Sequence, residues 1–263
     1  QSAPQAGFPA PPATGCAPLQ VSITNESSDN TTSWSYVAPG ASPPVASGPE
    51  PEFVYTTPGI YTITQQVSNG AGADTDTLHI TVLAEPRAAF TAEVPLGTAA
   101  LMLTNESTDA DSFFWGFGDG NSSTDSLPQH TYTEDGSYEI TLVASNSCGS
   151  DTATASVEVV TPPVAGFAIS DTVGCAPLTV SITDLASSNT DLWSWTVLGA
   201  EPEFSTETEP SFTFSEPGEY VLVQQVTNEA GTDSDSLLVT VLSGPTAGFD
   251  AFVEAGATEL QLQ

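Results

Sequence analysis

The stretch Phe113-Phe114-Trp115-Gly116-Phe117-Gly118-Asp119-Gly120 decides the reading of the whole chain. An aromatic strand runs into a Gly-Asp-Gly turn. Glycine takes backbone angles that a side chain forbids, and Asp hydrogen-bonds the backbone just beyond it. Pro128-Gln129-His130-Thr131-Tyr132 comes next, and Asp135-Gly136-Ser137-Tyr138 then opens a run in which Tyr138, Ile140, Leu142 and Ala144 alternate. Alternation places every second side chain on one face, the signature of a strand half-buried in a sheet. Asn146 and Gly149-Ser150-Asp151-Thr152 mark a turn and the strand after it.

The rest of the chain follows the same pattern. Its 263 residues include 21 Gly and 21 Pro between strand-sized apolar runs, with no helical stripe of useful length. The charge is lopsided: 33 acidic residues face a single basic one, Arg87. Such a chain repels nucleic acid and anionic membranes. Charged residues are only 13% of the total against 39% hydrophobic, which sets the chain apart from an acidic disordered tail. A soluble acidic shell in salty or calcium-containing water fits. No apolar run approaches the ~20 residues of a membrane span. No basic segment followed by an apolar one reads as a secretory leader, which is expected to be removed or to lie outside these residues.

Gly59-Ile60-Tyr61, Gly136-Ser137-Tyr138 and Gly218-Glu219-Tyr220 mark one strand start three times, 77 and 82 residues apart. Asp74-Thr75, Asp151-Thr152 and Asp233-Ser234 repeat at the same two spacings, and proline-bearing joints at Glu85-Pro86, Pro162-Pro163 and Gly244-Pro245 end each copy. Domains are therefore expected over residues 1–85, 86–161 and 162–244, with the first strands of a fourth over 245–263. A longer period is sharper. The first and third copies match without a gap at an offset of 159, as Cys16/Cys175, Trp34/Trp193, Phe53/Phe212 and Val67/Val226 show. Phe90, Gly97 and Leu101 return at that offset as Phe249, Gly256 and Leu260, so the repeating unit is a pair of unlike domains. A lone strand pair cannot bury a core. Residues 247–263 are read either as the start of a further domain or as strands donated to a neighbouring subunit.

The ordered motifs around Trp115, Asp119, His130-Thr131-Tyr132 and Gly136-Ser137-Tyr138 resemble the PKD (polycystic kidney disease) domain. With the degenerate copies, the resemblance covers nearly the whole chain. It implies an all-β fold of tandem immunoglobulin-like sandwiches. Joints of about two to four residues stiffened by proline then make a semi-rigid rod. In the second copy, strands fall near Ala88–Glu93, Ala100–Asn105, Phe113–Phe117, Gln129–Tyr132, Tyr138–Ser145 and Asp151–Val159. Trp34, Trp115 and Trp193 are expected as inward plugs between the sheets, with Tyr61, Tyr138 and Tyr220 as further core residues. Gln65 and Gln224 stand where Leu142 faces inward. Either these amides are hydrogen-bonded inside or a bulge shifts the phase.

His130 resembles a base or metal ligand until the copies are aligned: its equivalents are Phe53 and Phe212, so the position is one of packing. His79 aligns with Ser156 and Leu238 and has no recurring role. No Ser/His/Asp set, zinc-spaced His/Cys cluster or phosphate loop occurs, and the carboxylates are scattered over strand ends and turns. No enzyme and no cofactor are expected. Calcium is the one metal to carry: Asn105, Asp109, Asp111 and Asp119 offer hard oxygen ligands at one pole of the second copy, against the plainer reading of turn-capping residues. The resemblance allows calcium without requiring it. Thr77, Ser126, Thr152, Thr172 and Ser236 each follow Asp and precede an aliphatic residue, which resembles the O-glycosylation signal of secreted Bacteroidetes proteins.

In that topology the cysteines find places. Cys16 and Cys175 lie in the turn between the first two strands of copies one and three, and Cys148 in the turn between the last two strands of copy two. The far pole of the first copy faces the near pole of the second across Ala84–Arg87, so a Cys16–Cys148 bridge is expected to clamp that joint. Cys148 and Cys175 lie about two domains apart, far beyond the ~7 Å Cα limit of a disulfide. Cys175 is left for a partner outside these residues. Bridges of this kind fit an oxidising exterior.

The expected function is a non-enzymatic extracellular or cell-surface protein, structural or adhesive: a stalk, surface fibre or filament built from domain pairs. PKD arrays of bacterial surface proteins and adhesins imply the same. Partners are copies of itself or adjoining domains of the same chain, with surface glycans or proteins as further classes; nucleic acid and membrane insertion are not expected. The alternative is a carbohydrate- or protein-binding accessory region of a secreted chitinase or protease, which requires an exposed aromatic platform.

Overall fold

The computed structural model describes residues 2–8, 13–245, 247–248, 251–252 and 261–262, the last two pairs as strand backbone. Among the described residues the regular structure is entirely strand. In the first sandwich, β1 (Ala13–Cys16), β7 (Gly72–Leu83), β6 (Gly59–Asn69), β3 (Ser33–Val37) and β4 (Val45–Ser47) form one sheet in that order. The opposing sheet pairs β2 (Leu19–Ser22) with β5 (Glu52–Tyr55). The second sandwich sets β11 (Ser122–Ser123), β10 (Ser112–Gly116), β13 (Gly136–Asn146) and β14 (Gly149–Val159) against β12 (His130–Thr131), β9 (Ala100–Asn105) and β8 (Phe90–Glu93). The third repeats the first: β16 (Val173–Cys175), β22 (Gly231–Leu242), β21 (Gly218–Asn228), β18 (Leu192–Thr196) and β19 (Phe204–Ser205) make one sheet. Its other sheet is β15 (Phe167–Ile169), β17 (Leu178–Asp184) and β20 (Ser211–Phe214). Beyond it, β23 (Ala251–Phe252) pairs antiparallel with β24 (Gln261–Leu262). The tail positions Phe249, Gly256 and Leu260, with most of residues 247–263 and so the use made of that stretch, lie outside the described residues.

The chain folds as two compact units. One comprises Gln1–Val94, Ala100–Thr133 and Ser137–Glu158; the other comprises Pro95–Ala99, Glu134–Gly136 and Val159–Gln263. In each sandwich the long hairpin near the carboxyl end supplies the alternating face of the core. Ile63 and Val67, Ile140 and Leu142, and Leu222 and Val226 are fully buried on β6, β13 and β21. Facing rows from the opposite sheet, such as Val21 with Phe53 and Val180 with Phe212, complete the packing.

The plug between the sheets differs from the sequence expectation. Trp115 is fully buried, but its structural counterparts are Tyr36 and Trp195, which pair with Gln65 and Gln224 as Trp115 pairs with Leu142. Trp34 and Trp193 stand one pleat earlier on the same face, so they are half-buried at the rim of the core. Their indole N–H groups donate to Ser27 Oγ and Asp184 Oδ2, each at 3.0 Å. Tyr61, Tyr138 and Tyr220 are also rim residues, half-buried, with ring centroids 4.5, 4.0 and 4.6 Å from those of Tyr55, Tyr132 and Phe214; only the Tyr138–Tyr132 pair is stacked, the other two being tilted. Tyr61 Oη donates to Thr57 O and Tyr220 Oη to Glu216 O, both at 2.8 Å, tying the strand back onto the turn before it.

Gln65 and Gln224 resolve in favour of buried, satisfied amides; both are fully buried. Gln65 Oε1 accepts from Gly7 N at 3.0 Å while Nε2 donates to Tyr36 Oη at 2.8 Å. Gln224 Oε1 accepts from Gly166 N at 2.8 Å while Nε2 donates to Asp184 Oδ1 at 2.9 Å. These amides pin the opening segment of each sandwich to its central strand. In the second sandwich Leu142 cannot do so, and Ser107 Oγ accepts from Ala89 N instead, at 3.2 Å.

Candidate functional site

The chemistry of this chain is concentrated where sandwiches join. β1 runs parallel to β7, which sets Cys16 beside Leu83 at the end of the first sandwich. Ala17 N donates to Leu83 O at 3.0 Å and holds the turn that follows. Cys148 sits in the tight turn between β13 and β14, shaped by Asn146, whose Oδ1 accepts from Cys148 N at 2.7 Å. Cys16 and Cys148 are disulfide-bonded, with their Cα atoms 5.4 Å apart and 132 residues between them in sequence. Asn146 Nδ2 meanwhile donates to Ala84 O at 2.8 Å and to Asp109 O. The first joint is thus held by one covalent bond and one bifurcated amide.

The amide half of this clasp recurs. Asn69 Nδ2 donates to Ser2 O and Asn30 O, both at 3.0 Å, and Asn228 Nδ2 to Thr161 O at 2.8 Å and Asn189 O at 3.0 Å. Each asparagine also caps its own turn, at Ala71 N and Ala230 N, so alanine occupies there the place of Cys148. The same spacings, 77 and 82 residues, separate Asn69, Asn146 and Asn228, which is the signal that could have revealed the clasp. Within the second unit, Asp135 adds to it. Its carboxylate accepts from Thr161 N, Thr161 Oγ1 and Asn189 Nδ2 at 2.8 to 3.2 Å. Burial pulls the Asp135 pKa up, but these bonds from Asn189 and Thr161 outweigh it and leave it below the ordinary carboxylate value.

Asp119 and His130 meet, a pairing the sequence reading missed. His130 Nε2 lies 2.9 Å from Asp119 Oδ2, and the imidazole stacks on Phe117 at 4.2 Å between centroids. Asn121 N and Nδ2 donate to the same carboxylate at 3.0 and 2.8 Å. Burial raises the Asp119 pKa, yet the Asn121 and His130 interactions prevail and depress it. Below the ring, Tyr132 Oη donates to Phe117 O at 2.9 Å, and burial, assisted by the charge of Asp119, pushes the Tyr132 pKa up to about 12. His130 fills the place taken by the buried Phe53 and Phe212, so the pair is a polar variant of a packing position that braces the Gly-Asp-Gly turn.

The four calcium candidates do not gather. Asp109 and Asp111 precede β10 and Asp119 follows it, so a strand of roughly 17 Å separates them. Asp119 is engaged by His130 and Asn121. Asn105 Oδ1 accepts from Ser107 N at 3.0 Å and its Nδ2 donates to Ser126 O at 2.9 Å. Among the described residues no group of three or more His, Cys, Asp or Glu is placed to hold a metal. The glycosylation candidates Thr77, Ser126, Thr152, Thr172 and Ser236 are all exposed. Cys175 is exposed and carries a free thiol.

Stacked two-sheet β-sandwiches with a buried aromatic plug and a tyrosine latch define an immunoglobulin-like protein. Residues 8–82 and 84–161 each match the PKD domain. The chain belongs to the PKD-domain family, as a tandem array. Human polycystin-1 is 26% identical over 219 residues, 80% of this chain and 5% of that protein. The pre-pro-metalloprotease PrtV of Vibrio cholerae is 37% identical over 75 residues, 27% of this chain and 8% of that protein. The chain therefore spans a small part of either relative. An I-band fragment of titin superposes with a TM-score of 0.54 at 13% identity, covering 93% of this chain and 100% of the fragment, a likeness of fold. The matched segments are of a non-catalytic type, and no described helix is long and apolar enough to cross a membrane.

Proposed function

We propose that this chain is a non-enzymatic, extracellular structural or adhesive module, a stalk or filament segment assembled from pairs of unlike PKD sandwiches. The observation that carries this reading is the Cys16–Cys148 bond. It joins two sandwiches rather than closing one, so it acts directly on the joint. With the Asn146 clasp, it restrains the hinge that a two-domain linker otherwise leaves free. A disulfide also belongs to an oxidising compartment. The acidic shell keeps such an array dispersed through self-repulsion. Electron microscopy of the native material tests the reading: regular straight fibres are expected, and isolated flexible strings would refute it.

A second reading has one observation in its favour. An open groove on the third sandwich is lined by Asp191, the exposed Leu192, Trp193, Ser194, Thr206 and Gln225, so apolar surface lies beside hydroxyl, amide and carboxylate groups. That chemistry suits a sugar and an accessory, glycan-binding role. A glycan array with the Trp193→Ala protein as control decides between them.

A further inference from the structure

The third sandwich carries an unused copy of the first joint. β16 pairs with β22 in the register by which β1 pairs with β7, so Cys175 stands beside Leu242 as Cys16 stands beside Leu83. Ala176 N donates to Leu242 O at 3.0 Å, matching the bond from Ala17 N to Leu83 O at 3.0 Å. The two sites differ in what covers them. Leu83 is half-buried in the occupied joint, whereas Leu242 is 49% exposed and the Cys175 thiol is free.

We propose that Cys175 is one half of a second inter-domain disulfide, whose other half is the Asn-x-Cys-Gly turn of a sandwich of the second kind. This deepens the structural reading above and rests on it. The evidence is that the equivalent cysteine, Cys16, is bonded in this same molecule to such a turn. The partner's asparagine would clasp the carbonyl of Ser243, which follows Leu242 as Ala84 follows Leu83. The chain beyond the third sandwich points to the kind of partner: Phe249, Gly256 and Leu260 repeat Phe90, Gly97 and Leu101 of the sandwich that bears Cys148.

The bond is reserved for alternate joints. Within the second unit, Gly97 N donates to Val160 O as Ala17 N does to Leu83 O, so Leu96 and Ala230 hold the places of Cys16 and Cys148. That joint holds no thiol. Closure at Cys175 removes one hydrogen from each of two thiols. A small disulfide oxidant such as oxidised glutathione takes up the two electrons and two protons and leaves as two thiols.

Non-reducing peptide mapping of the native protein, alkylated on harvest, is the test. The Cys175 peptide is expected in disulfide linkage to an Asn-x-Cys-Gly peptide. Single chains on a non-reducing gel would place that turn in the same chain, and a ladder would place it in a neighbour. An alkylated Cys175, a Cys175–Cys175 dimer or a glutathione adduct would overturn the proposal. A second arm appends residues 87–161 after Pro245 and incubates the protein with oxidised glutathione. The two titratable thiols, Cys175 and the grafted cysteine, should both vanish, and one should remain when the grafted cysteine is changed to serine. A thiol that persists beside a protease-resistant graft would refute the pairing. Regular fibres with Cys175 free would sink this inference alone and leave the structural function standing.

Discussion

Replacing Gln224 by leucine tests whether the buried amide holds the third sandwich together or merely occupies space. Leucine is the residue at the matching site of the second sandwich, Leu142, and is close enough in volume that packing changes little. What is lost is the acceptor of Gly166 N, a partly buried N–H. Leaving such a donor unsatisfied costs about 1–3 kcal/mol. Asp184 loses one donor but keeps Trp193 Nε1 and Ala186 N. The more apolar side chain returns about 0.8 kcal/mol at most. The net loss of about 1 kcal/mol lowers the melting transition of an ~80-residue domain by roughly 4–8 °C, which scanning calorimetry resolves. The second sandwich indicates the rescue. There Ser107 Oγ takes the N–H that no glutamine serves, and Ala186 occupies the corresponding site of the third. Ala186→Ser should therefore recover a good part of the loss in Gln224→Leu while doing little alone. A Gln224→Leu protein as stable as the parent would refute the argument.

Gly118→Ala should cost more than about 2 kcal/mol, because φ is +85° and the new Cβ would sit 2.8 Å from Glu139 O; a loss under about 0.5 kcal/mol in urea titration would contradict this. The raised Tyr132 pKa makes its contribution fully present below the unfolded value near 10 and lost as pH rises through about 12. Tyr132→Phe should flatten that alkaline limb, and an unchanged limb would count against it. Asp119 and Asp135 have depressed values, so their contribution is present above the unfolded carboxylate value near 4 and lost as pH falls through the folded values. Asp135→Asn should blunt the acid limb, and stability that rises on acidification of the parent would refute the assignment. Cys148→Ser should lower the melting of the first two sandwiches, since the bond closes a long loop in the unfolded chain, and should broaden the distance distribution between spin labels placed on them; an unchanged distribution would show that the bond does not restrain the joint.

Much of this fold was legible because period-two alternation marks strands wherever one face is buried, as at Tyr138, Ile140, Leu142 and Ala144. The same period explains the error at Trp34 and Trp193. A slip of one pleat keeps every side chain on its face, so aromatic spacing alone could not say which ring enters the core. Pairing with Gln65 and Gln224 decides it, and pairing is tertiary information. The first disulfide was legible from topology, since the ends of strands alternate between poles. The Asp119–His130 contact was not, because the sibling copies place phenylalanine there and carry no Asp to meet it. The calcium set failed for a reason the sequence did contain: a whole strand lies between Asp111 and Asp119. The asparagine clasp was visible as a recurrence, but its double role requires knowing which carbonyls a folded turn faces.

The Cys16–Cys148 bond also fixes how tension would travel through the molecule. A pull applied to the two ends enters near Cys16, at the end of the first parallel strand, and crosses at once to Cys148. The 132-residue span between the two cysteines lies inside a covalent loop and is relieved of the force. Unravelled, that span would contribute roughly 450 Å of contour at about 3.4 Å per residue. In a single-molecule stretching trace of the oxidised protein this length should be missing, and a reductant should release it. The bond is then a stop that caps extension, so the array would yield through its third sandwich while the first and most of the second stay folded.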